Sequence, residues 1–88
     1  MPDPDQRPRR LPPYRLVAVE LAAEIRAGEY DSGKLFPSES ALATRFGRAT
    51  MTIRRALELL RDDGLITTEW GRGSLVVPPN ERPSVGDK

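Results

Sequence analysis

The chain has 88 residues and a formal net charge of +1, and it contains neither cysteine nor histidine. This length allows one small domain, and the missing side chains exclude disulfides and metal sites built on thiolate or imidazole, so we expect no cofactor and no metal. The apolar stretches are too short for a membrane span or a signal peptide, which predicts a cytoplasmic protein without a membrane partner.

Both ends of the chain have compositions typical of disorder. Residues 1–13 contain five prolines and residues 78–88 contain three. Such segments bury too little apolar surface to offset the entropy of ordering them. We therefore expect a disordered proline-rich arm over residues 1–13, a folded domain over residues 14–77 and a disordered tail over residues 78–88.

The folded region opens with apolar residues at three- and four-residue steps. They are Tyr14, Val17, Leu21 and Ile25. This pattern predicts an amphipathic helix that ends at Gly28, with Glu20 and Glu24 as ordinary solvated positions. A turn signal at residues 31–33 then introduces residues 34–36, which we expect to form a short strand.

Two short helices joined by a glycine turn are predicted next. Ser38 suits the N-cap of the first helix and Gly47 its C-cap, while the second helix begins near Thr50. The expected buried stripe of the second helix is Ile53, Ala56, Leu57 and Leu60. Residues 45–61 carry five arginines against one glutamate. A glycine turn followed by a basic helix is typical of a helix-turn-helix.

The last predicted element is a β-hairpin. Residues 65–70 and 74–77 are rich in β-branched residues and flank a Gly-Arg-Gly tip centred on Arg72. Trp70 is expected to pack over the small core. The predicted fold is α+β, a winged helix-turn-helix with three helices, a short strand after the first helix, and a C-terminal two-stranded hairpin as the wing.

This arrangement of elements suits DNA. A recognition helix enters the major groove with a polar N-terminal half, and an arginine at a wing tip can enter the minor groove. Arg54 is the best base-contact candidate and Arg72 the minor-groove candidate, and both must project from one side, free of acidic partners. The alternatives without a DNA-binding role are an ordinary solvated helix face for Arg54 and an ordinary hairpin turn for Arg72.

The other candidate residues have more general roles. Ser38, Thr52 and Arg55 are expected to hold phosphates, with Arg45 and Arg48 in support. Thr50 and Met51 both carry methyl groups, so we expect contacts with thymine methyls. The complete candidate set is Ser38, Arg45, Arg48, Thr50, Met51, Thr52, Arg54, Arg55 and Arg72.

These motifs resemble the N-terminal DNA-binding domain of the GntR family of bacterial regulators. The shared motifs include Pro-Ser-Glu at 37–39, Phe-Gly at 46–47, Thr-Ile-Arg at 52–54 and Gly-Arg-Gly-Ser at 71–74. The resemblance covers nearly all of the foldable region. It implies a winged helix that binds an operator as a two-fold dimer on a palindromic site and regulates transcription, usually by repression.

The chain also departs from the family pattern. Ser40 and Thr50 stand where the family usually or often has arginine, and Arg48 stands where it has an apolar residue, so only Arg54 and Arg72 match the usual arginine set. No effector-binding domain fits after Val77. The chain is either a minimal regulator, which we favour, or the excised domain of a longer protein.

Two other functions compete with DNA binding. A winged helix can instead dock a protein partner. An enzyme is not expected, because the chain lacks the histidine or cysteine of most nucleophile–base pairs and shows no paired carboxylates at helical spacing. The operator, the regulated genes, the choice between activation and repression, any effector and the dimer interface are left open by the sequence.

Overall fold

Three helices and a β-hairpin, in that order, form the part of the chain that the computed structural model describes, which is residues 11–69, 71 and 73–83. The elements are α1 (Pro13–Arg26), α2 (Glu39–Phe46), α3 (Thr50–Asp62), β1 (Ile66–Glu69), β2 (Gly73–Val76) and a 3-10 turn (Pro79–Glu81). The predicted order of the three helices and the two hairpin strands is confirmed.

Local signals in the sequence set the ends of the helices. α1 begins at Pro13, where the missing N–H costs nothing because the first helical amides have no partner within the helix. The Ser38 side chain accepts a hydrogen bond from the Ala41 amide at 3.1 Å and so caps α2. Gly47 ends α2 in the left-handed conformation at φ 64°. The caps predicted at Ser38 and Gly47 are confirmed.

The core lies around α3, which packs against α1, α2 and β1. The predicted stripe of α3 is fully buried: Ile53, Ala56, Leu57 and Leu60. Leu21 and Ile25 of α1 and Leu42 of α2 are also buried. Among the described residues no charged or polar side chain is buried, so burial of apolar side chains is the main force that orients α3.

The hairpin extends this core at one end. β1 and β2 pair antiparallel, from Ile66 opposite Val76 to Glu69 opposite Gly73. The strand predicted at residues 34–36 is a single bridge between Leu35 and Leu75. The Phe36 amide donates to the Ser74 carbonyl at 2.8 Å, which ties this segment to the free edge of β2.

The segment after β2 differs from the expected disordered tail in its first residues. Residues 79–81 form the 3-10 turn, and Arg82 Nε donates to the Val77 carbonyl at 2.8 Å. The Pro83 ring lies so close to Gly64 that a Cβ at Gly64 would overlap it. These contacts depend on the folded surface, which composition alone does not reveal. The rest of the predicted tail, residues 84–88, and residues 1–10 of the predicted arm lie outside the described residues.

Candidate nucleic-acid interface

The N-terminal half of α3 presents an open polar face. Thr50, Met51, Arg54 and Arg55 are exposed and Thr52 is half-buried. Met51 has 59% of its surface exposed. Since the buried stripe holds the other side of α3 against the core, these side chains project away from the domain.

The connection between α2 and α3 leaves the start of α3 without a side-chain cap. The Arg48 amide donates to the Ala43 carbonyl at 3.1 Å, which fixes the turn. Ala49 occupies the N-cap position and offers no side-chain acceptor to the first amides of α3. The partial positive charge of this helix terminus is therefore not offset by a capping group. Arg48 makes no salt bridge with any of the described residues and adds a free positive charge at this turn.

Arg54 forms an ion pair with Glu39, the first residue of α2. Arg54 Nε and Nη2 donate to the two carboxylate oxygens of Glu39 at 3.2 and 3.0 Å. The hydrogen bond from Arg54 lowers the pKa of Glu39, and the same contact raises the pKa of Arg54. Both groups are therefore charged at neutral pH. Their side chains are 50% and 38% exposed, so the pair lies at the surface.

The ion pair contradicts one expectation from the sequence, because Arg54 was expected to have no acidic partner. The pair nevertheless engages only two of the five N–H donors of the guanidinium. Arg54 keeps three donors for a ligand, and its side chain stays accessible from solvent.

Arg45 has a different environment from the one expected of a phosphate contact. It donates to both carboxylate oxygens of Glu24, with Nη1 to Oε1 at 2.9 Å, and Tyr30 also donates to Glu24 at 2.8 Å. Glu20 lies 3.5 Å from Arg45 Nη2. Arg45 therefore joins α2 to α1, and its charge is already balanced. Glu24 is likewise not an ordinary solvated residue, because its side chain is only 15% exposed.

Arg55 stacks on an aromatic ring. Its guanidinium carbon lies 4.3 Å from the centroid of the Tyr14 ring on α1, within the range of a cation–π contact. The stack leaves the in-plane N–H donors of Arg55 available. It also links the start of α1 to α3.

The remaining candidates have mixed outcomes. The Ser38 hydroxyl oxygen is used as the α2 cap, which leaves its O–H as a donor. At the wing, Gly71 and Gly73 adopt φ values of 75° and 93°, conformations that favour glycine. Arg72 and Trp70 lie outside the described residues.

Sequence reasoning missed one residue of this surface, Glu39. The first turn of a helix favours an acidic residue in any case, and that explanation concealed its contact with Arg54. A partner 15 positions away gives no periodic signal within either helix. The shared Pro-Ser-Glu motif was the one available clue.

The described part of the chain offers no sign of a metal site or of a membrane span. None of its helices combines the length and hydropathy needed to cross a bilayer. Groups of three or more potential metal ligands are also absent from these residues.

Comparison with known proteins identifies the family of this chain. The model of the family described as bacterial regulatory proteins, gntR family, matches residues 13–76. The histidine utilization repressor of Klebsiella aerogenes is 37% identical over 76 residues, which cover 84% of this chain and 32% of that protein. The transcriptional repressor NagR of Bacillus subtilis is 36% identical over 69 residues, covering 78% of this chain and 28% of NagR. The chain thus spans less than a third of these two repressors.

Solved structures show the same fold. The DNA-binding domain of AraR, crystallised in complex with an operator, superimposes with a TM-score of 0.72 at 32% identity and covers 82% of this chain and 90% of that one. YtrA from Sulfolobus acidocaldarius, a GntR-family transcription factor, has a TM-score of 0.72 at 28% identity over 80% of this chain and 73% of its own. The predicted winged helix-turn-helix is confirmed.

Proposed function

The chain belongs to the GntR family of bacterial regulatory proteins, and we propose that it binds double-stranded DNA sequence-specifically and acts as a transcriptional repressor. The two relatives described above are named repressors. Membership in a family of regulators also agrees with the expectation that the chain is not an enzyme.

In the proposed complex, the N-terminal half of α3 enters the major groove. Arg54 contacts a base edge with the donors that Glu39 leaves free. Thr50 and Met51, both exposed at the start of α3, contact thymine methyl groups. The groove is wide enough to admit a helix, and the exposed face of α3 is the one that can meet it.

The phosphate contacts come from residues around α3. Ser38 uses its free O–H, Thr52 its hydroxyl and Arg55 its guanidinium, while Arg48 adds positive charge next to the uncapped helix terminus. We leave Arg45 out of the proposed interface because Glu24 already balances its charge. Arg72 at the wing is proposed to enter the minor groove, because the glycines on either side of it in the sequence leave little bulk at the tip.

One observation carries the proposal. The fold that matches an operator-bound AraR domain presents an exposed, polar and arginine-bearing face on α3. A solvated helix face with no DNA-binding role can occur in any fold. A winged helix with another role does not need an accessible arginine on α3. The combination favours DNA over the alternative of a protein-binding winged helix.

The test begins with selection of duplexes from a random pool by the 88-residue chain. Affinity for the selected duplex and for a scrambled one is then measured at several salt concentrations. Arg54→Ala is expected to lower the affinity for the selected duplex roughly tenfold and to relax base preference. The control, Arg26→Ala, removes an exposed arginine at the end of α1 and is expected to have little effect on selectivity. Equal effects of the two changes would refute the assignment, and no retention on duplex DNA at low salt would favour the protein-binding alternative.

The assembly and setting of the complex are also part of the proposal. One small domain makes few contacts, so we propose that two copies bind a palindromic site, with the unit formed by residues 14–77 on each half-site. The selected sequences test this, because half-site symmetry and spacing emerge together. The cytoplasm, where bacterial DNA lies, is the proposed place of action.

A further inference from the structure

We propose that Glu39 is a positioning residue that fixes which donors Arg54 presents to DNA and thereby determines base selectivity at that position. The inference rests on the proposed function, in which Arg54 contacts a base edge. It begins from the side-on ion pair between the first residue of α2 and Arg54 on the exposed face of α3.

The donor geometry of this pair points to guanine. Glu39 receives the Nε–H and one N–H of Nη2, so both N–H groups of Nη1 and the second one of Nη2 remain. The remaining donors include the fork at the end of the guanidinium. In the major groove guanine presents two adjacent acceptors, O6 and N7, that match such a fork. Arg54 held by Glu39 is therefore arranged for guanine before DNA arrives.

Folding stability does not account for this pair. Its two side chains are 50% and 38% exposed, and exposed ion pairs contribute little to stability because solvent screens them. Its larger effect is on binding. A free arginine loses side-chain freedom when it is immobilised on a base, whereas one already held by a carboxylate loses less.

The Glu39 carboxylate should affect specific and nonspecific DNA binding in opposite directions. A negative charge beside Arg54 repels every phosphate backbone, regardless of sequence. Arg61 is close enough to affect the pKa of Glu39, and Glu58 is close enough to affect that of Arg54. Removing Glu39 should therefore weaken binding to the selected site but maintain or strengthen binding to unrelated DNA.

Glu58 provides a matched control. It is an exposed carboxylate on α3, it lies four residues after Arg54, and its effect on Arg54 acts through charge alone. Glu58→Ala removes the same charge as Glu39→Ala, but it breaks no hydrogen bond to the arginine. The two variants thus separate the positioning effect from simple repulsion.

The experiment measures the affinities of four proteins by fluorescence anisotropy at one salt concentration: wild type, Glu39→Ala, Glu39→Gln and Glu58→Ala. The probes are the duplex selected by wild type, its single base-pair substitutions and a scrambled duplex. For Glu39→Ala we expect the ratio of selected to scrambled affinity to fall at least about fivefold, with guanine preference lost at one position. Glu39→Gln, which keeps one acceptor, is expected to lie between wild type and alanine. Glu58→Ala is expected to leave the ratio unchanged.

Several outcomes would overturn the inference. One is a ratio of selected to scrambled affinity that Glu39→Ala leaves unchanged, as is expected for Glu58→Ala. Another is a loss of affinity in Glu39→Ala and Glu39→Gln that is as large for the scrambled duplex as for the selected one. Circular dichroism of each variant shows whether a loss reflects unfolding, and Glu39→Gln keeps the test open if the alanine variant does not fold. If Arg54→Ala is selective like wild type, the proposed function fails and the inference with it. If Arg54→Ala loses selectivity but Glu39→Ala does not, the inference alone fails.

Discussion

Replacing Glu24 with glutamine tests whether the contacts between α1 and α2 stabilise the domain. Glu24 accepts hydrogen bonds from Tyr30 and from two nitrogens of Arg45. Glutamine has nearly the same shape but lacks the charge, and it offers one acceptor oxygen in place of two. The change therefore weakens the ion pair without opening a cavity in the core.

The size of the effect follows from exposure. Glu24 is 15% exposed, whereas Arg45 is 42% exposed. Solvent therefore screens much of the attraction between them. The pair should contribute more to stability than a fully exposed ion pair but less than a buried one. We expect Glu24→Gln to lower the free energy of unfolding by about 1 kcal/mol. In a domain of this size, that loss lowers the Tm by about 4–8 °C.

The pH dependence gives a second signature. The hydrogen bond from Arg45 lowers the pKa of Glu24 and outweighs the opposing effect of burial. The unfolded state therefore binds a proton more readily than the native state, and the stabilisation is fully present above the unfolded pKa of about 4.3. It disappears as the pH falls through the lower pKa of the native state. The difference in Tm between wild type and Glu24→Gln should shrink in that acidic range.

Thermal denaturation followed by circular dichroism, at neutral pH and in acid, measures both effects. Glu20→Gln is the control, because Glu20 is 59% exposed and lies 3.5 Å from Arg45 without a hydrogen bond. Equal Tm losses for the two variants, or a difference that persists in acid, would refute the reasoning. Arg45→Ala should also lower the Tm while leaving the salt dependence of DNA affinity unchanged. A decrease of about 0.9 in the salt slope would instead show that Arg45 neutralises a phosphate.

Two further predictions concern α2 and the turn after α3. Ser38→Ala removes the α2 cap and should lower the unfolding free energy by about 1 kcal/mol in urea denaturation. Ser38→Asp should retain the cap but weaken DNA affinity. An unchanged affinity of Ser38→Asp would argue against a phosphate near Ser38. Gly64→Ala should destabilise more than Gly33→Ala: both have φ 75°, but only Gly64 faces the Pro83 ring. The shared backbone cost is about 1–2 kcal/mol, and equal losses would show that the Pro83 contact contributes nothing.

The fold was largely predictable because its determinants are local. The helix period identified the buried face of α3, since Ile53 and Leu57 lie on one side of a helix whichever domain they occupy. Ser38 and Gly47 mark the ends of α2 through groups within three or four residues of them. The short strand was harder to predict, because Leu35 pairs with Leu75, a residue far along the chain, and only once.

The environments of the candidate arginines were less predictable because their acidic partners lie on other elements of the fold. Arg45 and Glu24 are 21 positions apart, and Arg54 and Glu39 are 15 apart. Neither separation is a helical or strand period, so no pattern within one element connects the partners. The same limitation explains why Glu24, judged from α1 alone, was expected to be solvated.

These two pairs change how the positive charge of residues 45–61 should be assessed. A count along residues 45–61 gives five arginines against one glutamate, and such a count suggests strong attraction to any phosphate backbone. The carboxylates that offset two of those arginines, at positions 24 and 39, lie outside that stretch of sequence. Since sequence-independent affinity scales with the number of phosphates neutralised, the folded domain should hold unrelated DNA less tightly than the count implies. In the proposed complex, discrimination between sequences then comes from a few positioned contacts, and the Arg54 fork is the best defined of them.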